Sequence, residues 1–132
     1  MADTMVIASR LEAAREVEEA LLRQVALRGY DEAAKFAIKL ALEEALNNAI
    51  KHGNGFDAAK PIEVQFDVDA RRVLITITDK GQGFDPDLVP DPTLDENLEK
   101  PCGRGIMLMR AYMDEIRFNE KGNQVHMIKR RK

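Results

Sequence analysis

The hydrophobic period of this 132-residue chain changes from helical steps to strict alternation between His52 and Ile62. Before the change, Leu11, Ala14, Val17, Leu21 and Val25 recur every three or four residues, Glu12, Glu16, Glu18 and Glu19 occupy other faces, and Gly29 supplies a stop. That is an amphipathic helix. Asp31 can cap a second helix running to His52 and stopping at Gly53-Asn54-Gly55, with Ile38, Leu42, Ala45, Leu46 and Ala49 as its apolar stripe. After the change, Ile62, Val64, Phe66 and Val68 alternate with Glu63, Gln65, Asp67 and Asp69, and Ala70-Arg71-Arg72 leads into Val73–Thr78. Two such runs predict a hairpin.

The flanks complete the pattern. Met5–Ala8 suits an N-terminal strand, with Ser9 as the cap of the helix that follows. Asp85–Pro101 holds four of the five prolines and many carboxylates, and so reads as a long loop. A third helix is expected from about Arg104 to Tyr112, then strands around Ile116–Phe118 and Val125–Lys129 joined at Lys121-Gly122-Asn123. With 45% hydrophobic residues, a chain of this length makes one globular domain, 1–132.

Charge and cysteine usage narrow the function classes. A net charge of -3 argues against a broad nucleic-acid footprint, and the basic run Lys129–Lys132 reads as a solvated end. Cys102 is the single cysteine, so it can form no internal disulfide and no cysteine-rich metal site. No apolar run reaches membrane-spanning length and the first residues lack the features of a secretory signal, so a cytoplasmic protein without membrane contact is expected.

Three local patterns carry chemistry. On the second helix, Glu44, Asn48 and His52 stand one turn apart, a polar stripe bordering a core face where Ala37, Ala41 and Ala45 keep the surface low. Asn48 offers a neutral oxygen to a hard cation such as Mg²⁺, Glu44 can orient or deprotonate a nucleophile, and His52 suits a helix end. In the hairpin's second strand, Asp79 shares the parity of Val73, Ile75 and Ile77, so it leaves an apolar face and needs a donor. Asp79-Lys80-Gly81-Gln82-Gly83 could thus accept a hydrogen bond from the amino group of a flat heterocycle, with glycines permitting close approach. Gly103-Arg104-Gly105 opens the third helix with free backbone N–H groups and a fork-shaped cation, a combination suited to phosphate. Singly, each also has an ordinary structural explanation: a solvated helix stripe, a glycine turn leaving a strand, a loop-to-helix junction.

Together, in this order and spacing, they resemble the three motif boxes of the GHKL ATP-binding superfamily, the Bergerat fold. Glu44–Gly53, Asp79–Asp85 and Gly103–Glu115 look most like the small stand-alone anti-sigma factor/serine-protein kinases. The resemblance spans nearly the whole chain. It implies an α+β two-layer sandwich, with a mixed, mostly antiparallel sheet, about three helices on one face, ATP between the layers and a mobile lid at about 84–102. It further implies that Glu44 is the catalytic base, that Asn48 holds Mg²⁺, and that Asp79, Gly81 and Gly83 surround the adenine. Gly103, Arg104 and Gly105 would surround the phosphates. The implied activity is serine/threonine phosphorylation of a small STAS-type anti-anti-sigma protein by a regulator that also sequesters a sigma factor, in a homodimer. A nucleotide-gated binding module without phosphoryl transfer is the alternative. Asp85, Asp87, Asp91, Asp95, Glu96 and Glu99 against Lys100 make the lid strongly acidic, so it is expected to close poorly over a triphosphate.

Overall fold

In the computed structural model the described residues are 3–53, 57, 59–80, 107, 109–120 and 123–131, the side chains of 52 and 53 excepted. The chain starts with strand β1 (Asp3–Ile7) and continues into helix α1 (Leu11–Leu27). Ser9 is not the cap of α1. Arg10 holds that position without a side-chain bond, and Ser9 is fully buried with its Oγ donating to the carbonyl of Lys60. A buried hydroxyl proton must find an acceptor, and the Lys60 carbonyl, on the approach to the next strand, supplies it.

Val17, Leu21 and Val25 form the fully buried stripe of α1, while Leu11 remains exposed. The helix ends at Gly29, whose φ of 77° is in the left-handed region, and its N–H donates back to Ala26. Asp31 then caps helix α2 (Glu32–Asn48), its Oδ1 accepting from the Ala34 N–H at 2.8 Å. Ile38, Leu42, Ala45 and Leu46 are all buried, as their spacing predicts. The α-helical register does not run on to His52. It gives way to a π-helical turn at Ala49–Gly53, where wider i→i+5 bonding ends the four-residue stripe at Asn48. The His52 side chain lies outside the described residues.

The hairpin consists of β2 (Ile62–Val68) and β3 (Arg72–Thr78), paired antiparallel with Val64 opposite Ile77 and Val68 opposite Val73. Its turn is held by Asp69, whose Oδ1 accepts from the N–H groups of Arg71 and Arg72, both at 2.7 Å. These bonds hold the carboxyl of Asp69 below its usual range. Helical residues at 107 and 109–112 precede β4 (Glu115–Phe118) and β5 (Gln124–Arg130). The sheet order is β1-β2-β3-β5-β4, and every pairing among the described residues is antiparallel.

Strand parity explains the layering. Ile62, Val64, Phe66, Val73, Ile75, Ile77, Val125 and Met127 are buried on one face, and α1 packs over β1 and β2 while α2 packs over β5. Glu63 and Gln65, on the other parity, are exposed. The result is the expected two-layer α+β arrangement, in which each fully buried Leu or Ile contributes roughly 1.5–3 kcal/mol. Lys129 and Arg130 belong to β5, so the basic run continues the sheet, while Arg130 and Arg131 are exposed as expected. Arg131 sits over the Tyr30 ring, 4.1 Å from its centroid, and its guanidinium donates to the Arg28 carbonyl. Among the described residues, no helix is long and apolar enough to cross a membrane.

Candidate nucleotide site

Asn48 is the last α-helical residue of α2 and Asp79 the first residue beyond β3, so the end of a helix and the end of a central strand meet at one place. Between them is a narrow cleft with a volume of about 20 Å³. Ala45 and Ala49 form its helical side, Ile77 and Val125 its sheet side, and Met109 and Phe118 add apolar surface. Asn48, Asp79, Asn123 and Gln124 supply the polar groups. The small side chains at Ala45 and Ala49 leave space between the layers; of the alanines expected to do so, 37, 41 and 45, only Ala45 is among the described lining residues.

Two details suit the cleft to a polar, flat ligand. The Nδ2 of Asn48 is buried and makes no hydrogen bond among the described residues, an arrangement that costs about 1–3 kcal/mol unless a ligand supplies the partner. Asp79 is only 7% exposed, as its parity with the core-facing residues predicts. Its backbone is fixed by Asn123: the Asp79 N–H donates to the Asn123 carbonyl at 2.9 Å, and the Asn123 Nδ2 donates to the Asp79 carbonyl at 3.2 Å. One residue earlier, the Gln124 Nε2 donates to Thr78 Oγ1 at 3.0 Å.

The structure thus brings Asn48 and Asp79 together. Glu44, half-buried one turn before Asn48, is not among the described residues lining the cleft. Glu43 and Asn47 lie on the side of α2 that meets α1, beside Leu11, Arg15 and Glu18. There, burial and the neighbouring Glu43 carboxylate push the carboxyl of Glu18 above its ordinary value. Gly81, Gly83, Cys102, Gly103, Arg104, Gly105 and the segment 84–102 lie outside the described residues.

Sequence reasoning missed Asn123, Gln124, Met109 and Phe118. By sequence alone, Asn123 is only part of a turn between two strands. The repeated asparagine at positions 119 and 123, flanking Lys121-Gly122, was the available signal. In the structure the Asn119 Nδ2 donates to Asn123 Oδ1 at 2.7 Å, while Asn119 Oδ1 accepts from the Asn123 N–H at 3.1 Å.

No group of three or more His, Cys, Asp or Glu residues among the described ones could hold a metal by itself. A Mg²⁺ ion fits this donor set only in the manner usual for that ion, with few protein oxygens and the remaining positions filled by water and phosphate. Of the Asn48 carboxamide, the unpartnered atom is the nitrogen, a donor suited to an oxygen of a ligand, and the side-chain oxygen is the atom that would hold such an ion.

Comparison with known proteins identifies the frame in which these features belong. The family model for the histidine kinase-like ATPase domain matches residues 7–129. The serine/threonine-protein kinase BtrW of Bordetella bronchiseptica is 29% identical over 111 residues, covering 80% of this chain and 77% of BtrW. The serine-protein kinase RsbW of Bacillus subtilis is 33% identical over 101 residues, covering 70% of this chain and 62% of RsbW. The anti-sigma F factor of Pasteuria penetrans is 31% identical over 99 residues, 70% of this chain and 66% of that protein. The chain therefore spans less than two thirds of the Bacillus relative's length. In a crystal structure of the RsbU and RsbW domains of a Mycobacterium tuberculosis protein, a region amounting to 32% of that chain matches all of this one with a TM-score of 0.67 at 19% identity, a likeness of fold. Membership of an ATPase-domain family implies ATP binding, and the chain belongs to the histidine kinase-like ATPase family as an RsbW-like GHKL protein.

Proposed function

We propose that this protein is an ATP-dependent serine/threonine protein kinase acting as an anti-sigma-factor-type regulator, whose acceptor is a small STAS-type anti-anti-sigma protein. The observation that carries the reading is the buried, unpartnered amide of Asn48 in a cleft that also holds the buried Asp79. Relatives named as serine-protein kinases point to the same chemistry.

In this reading the Asp79 carboxylate accepts from the exocyclic amino group of adenine, while Ile77, Val125, Met109 and Phe118 offer the ring apolar surface. Asn48 would hold Mg²⁺ through its side-chain oxygen, and the ion when bound would neutralise charge on the phosphate oxygens. Glu44 takes the proton from the acceptor's serine or threonine hydroxyl; that oxygen forms the new bond to the γ-phosphorus as the bond to the β-phosphate oxygen breaks and ADP leaves. The roles of Gly81 and Gly83 beside the base, of Gly103, Arg104 and Gly105 at the phosphates, and of segment 84–102 as a lid rest on family resemblance. So does the homodimer, whereas the single-domain organisation and the cytoplasmic location rest on length, composition and the lack of a secretory or membrane-spanning pattern. His52 has no catalytic part.

The test is incubation with γ-labelled Mg-ATP and candidate acceptors, followed by phosphosite mapping. Glu44→Gln should lower transfer by about 10²-fold or more while nucleotide binding persists, the usual scale of general-base loss. Full transfer by that variant would remove Glu44 as the base.

A second reading is favoured by the position of Glu44 outside the cleft lining: a nucleotide-gated module that captures a partner, such as a sigma factor, without phosphoryl transfer. It predicts ATP-dependent partner affinity with no phosphorylated serine or threonine in the captured protein. Equal affinity with ATP, with ADP and without nucleotide would exclude it.

A further inference from the structure

The end of β3 is held differently from its interior. The last ladder pair between β3 and β5 is Thr78 with Gln124, and beyond it regular pairing stops. Asp79 is nevertheless fixed, because Asn123 continues the contact by other means. Its carbonyl accepts from the Asp79 N–H at 2.9 Å, and its side-chain Nδ2 donates to the Asp79 carbonyl at 3.2 Å. The backbone of one residue thereby has both its donor and its acceptor bonded to the same asparagine. That asparagine is itself held by Asn119, which donates to its Oδ1 at 2.7 Å and accepts from its N–H at 3.1 Å. A second bond from the Gln124 N–H reaches Asn119 Oδ1 at 3.3 Å.

The consequence is directional. With φ and ψ of a residue constrained, the Cα–Cβ bond has one orientation, and a carboxylate two bonds farther out can sweep only the positions its χ angles allow. Asp79 is 7% exposed, and Asn123 lines the same cleft, so the clamp acts beside the ligand. A backbone amide pair could have been supplied by one further ladder step. A side-chain donor adds a contact that a single substitution removes without deleting the strand.

We propose that Asn123 is a positioning residue for base recognition: acting through Asp79, it aims the carboxylate at the exocyclic amino group and so sets the preference for adenine over bases that lack that group. The inference rests on the nucleotide-binding reading of the cleft. Hypoxanthine presents a carbonyl oxygen where adenine presents an amino group. An acceptor held in place is then opposed by another acceptor, an unpaired arrangement that a fixed polar site rejects strongly. A carboxylate released from its clamp can turn away and accept water, so inosine nucleotides regain binding relative to adenosine nucleotides. Asn119 acts one step farther back, by holding Asn123.

The experiment measures the dissociation constants of ATP and inosine triphosphate, both with Mg²⁺, for the parent chain and for Asn123→Ala, Asn123→Asp and Asn119→Ala. The parent should prefer ATP. Asn123→Ala should shrink that preference by about tenfold, the scale of one hydrogen bond at a charged group. Asn123→Asp, which keeps the shape but cannot donate to the Asp79 carbonyl, should do the same, and Asn119→Ala should give a smaller change in the same direction. A role confined to stability would instead lower the melting temperature and weaken both nucleotides equally, leaving the ratio at the parent's value. An unchanged ratio in a folded Asn123 variant overturns the inference. If the Asn123 variants do not fold, an unchanged ratio in Asn119→Ala does so. A parent that binds both nucleotides equally overturns the base-reading role of Asp79 itself, which is a separate failure from the loss of the clamp.

Discussion

Asn48 and Asp79 line one cleft from opposite layers of the molecule, the first ending the α-helical part of α2 and the second ending β3. Neither position is stable by default. A carboxamide with a buried, unpartnered nitrogen costs free energy in the absence of a ligand, and it lies beside a carboxylate on a core face, so the two together mark a candidate ligand site.

That cost gives the first prediction. Asn48→Ala should melt at the same temperature as the parent or higher without nucleotide, because the unsatisfied amide is removed; the gain is up to about 1–3 kcal/mol, reduced by lost packing. The same variant should lose the upward melting shift that Mg-ATP gives the parent. Thermal melts with and without Mg-ATP measure both effects, and a variant that is less stable yet keeps the full shift contradicts the ligand role.

Glu18 supplies a pH dependence. Its carboxyl is pushed up from 4.5 by burial first and by Glu43 second, against weaker opposing effects of Lys39, whose Nζ is 3.9 Å away, and Arg15. The folded state therefore binds this proton more tightly than the unfolded chain does. The associated stability is fully present below pH 4.5 and is lost as pH rises through the higher folded value. Glu18→Gln should thus gain stability relative to the parent between acid and neutral pH, by less than about 1 kcal/mol. Asp69 and Glu115, whose carboxyls are lowered, act in the opposite sense and are lost as pH falls, so the comparison must be with the parent at each pH. Denaturant midpoints at pH 4 and pH 7 would show it, and a difference of the reverse sign would refute it.

The cap of α2 is a local and separable contribution. Asp31→Ala removes the acceptor of the Ala34 N–H and should cost about 0.5–2 kcal/mol, with Asp31→Ser or Asp31→Asn recovering most of it. Chemical denaturation is the measurement, and nucleotide affinity should be unchanged because Asp31 stands at the other end of α2 from Asn48.

Gly29 tests backbone conformation apart from packing. An added Cβ would meet nothing closer than the Arg131 guanidinium at 3.8 Å, an ordinary contact, but the φ of 77° is strained for any side chain. Gly29→Ala should lose roughly 1–2 kcal/mol, and Gly29→Asn should lose less because asparagine tolerates the left-handed region. Equal stability of all three proteins would show that the turn relaxes.

Much of the architecture was legible because it depends on period. The alternation from Ile62 to Thr78 became a hairpin with Asp79 on its buried face, and the stripe Ile38, Leu42, Ala45, Leu46 became a buried helix face over the sheet. Such patterns are read locally, since a strand alternates and a helix repeats whatever they pack against. Capping was legible at Asp31, next to the helix it caps, and illegible at Ser9, which packing buried one residue before the cap position with its hydroxyl bonded to a distant carbonyl.

By itself, then, the sequence determined the strands and the first two helices, their buried faces, and the candidacy of Asn48 and Asp79 for one site. Tertiary structure alone decided that the stripe ends at Asn48 in a π-helical turn, that Arg131 closes over Tyr30, and that Asn119 and Asn123 fasten the end of β3. Those outcomes depend on hydrogen bonds and ring contacts between residues far apart in the chain or across a turn. A donor's choice among several acceptors is settled by which of them the packed layers bring within about 3 Å, and no local pattern encodes that distance.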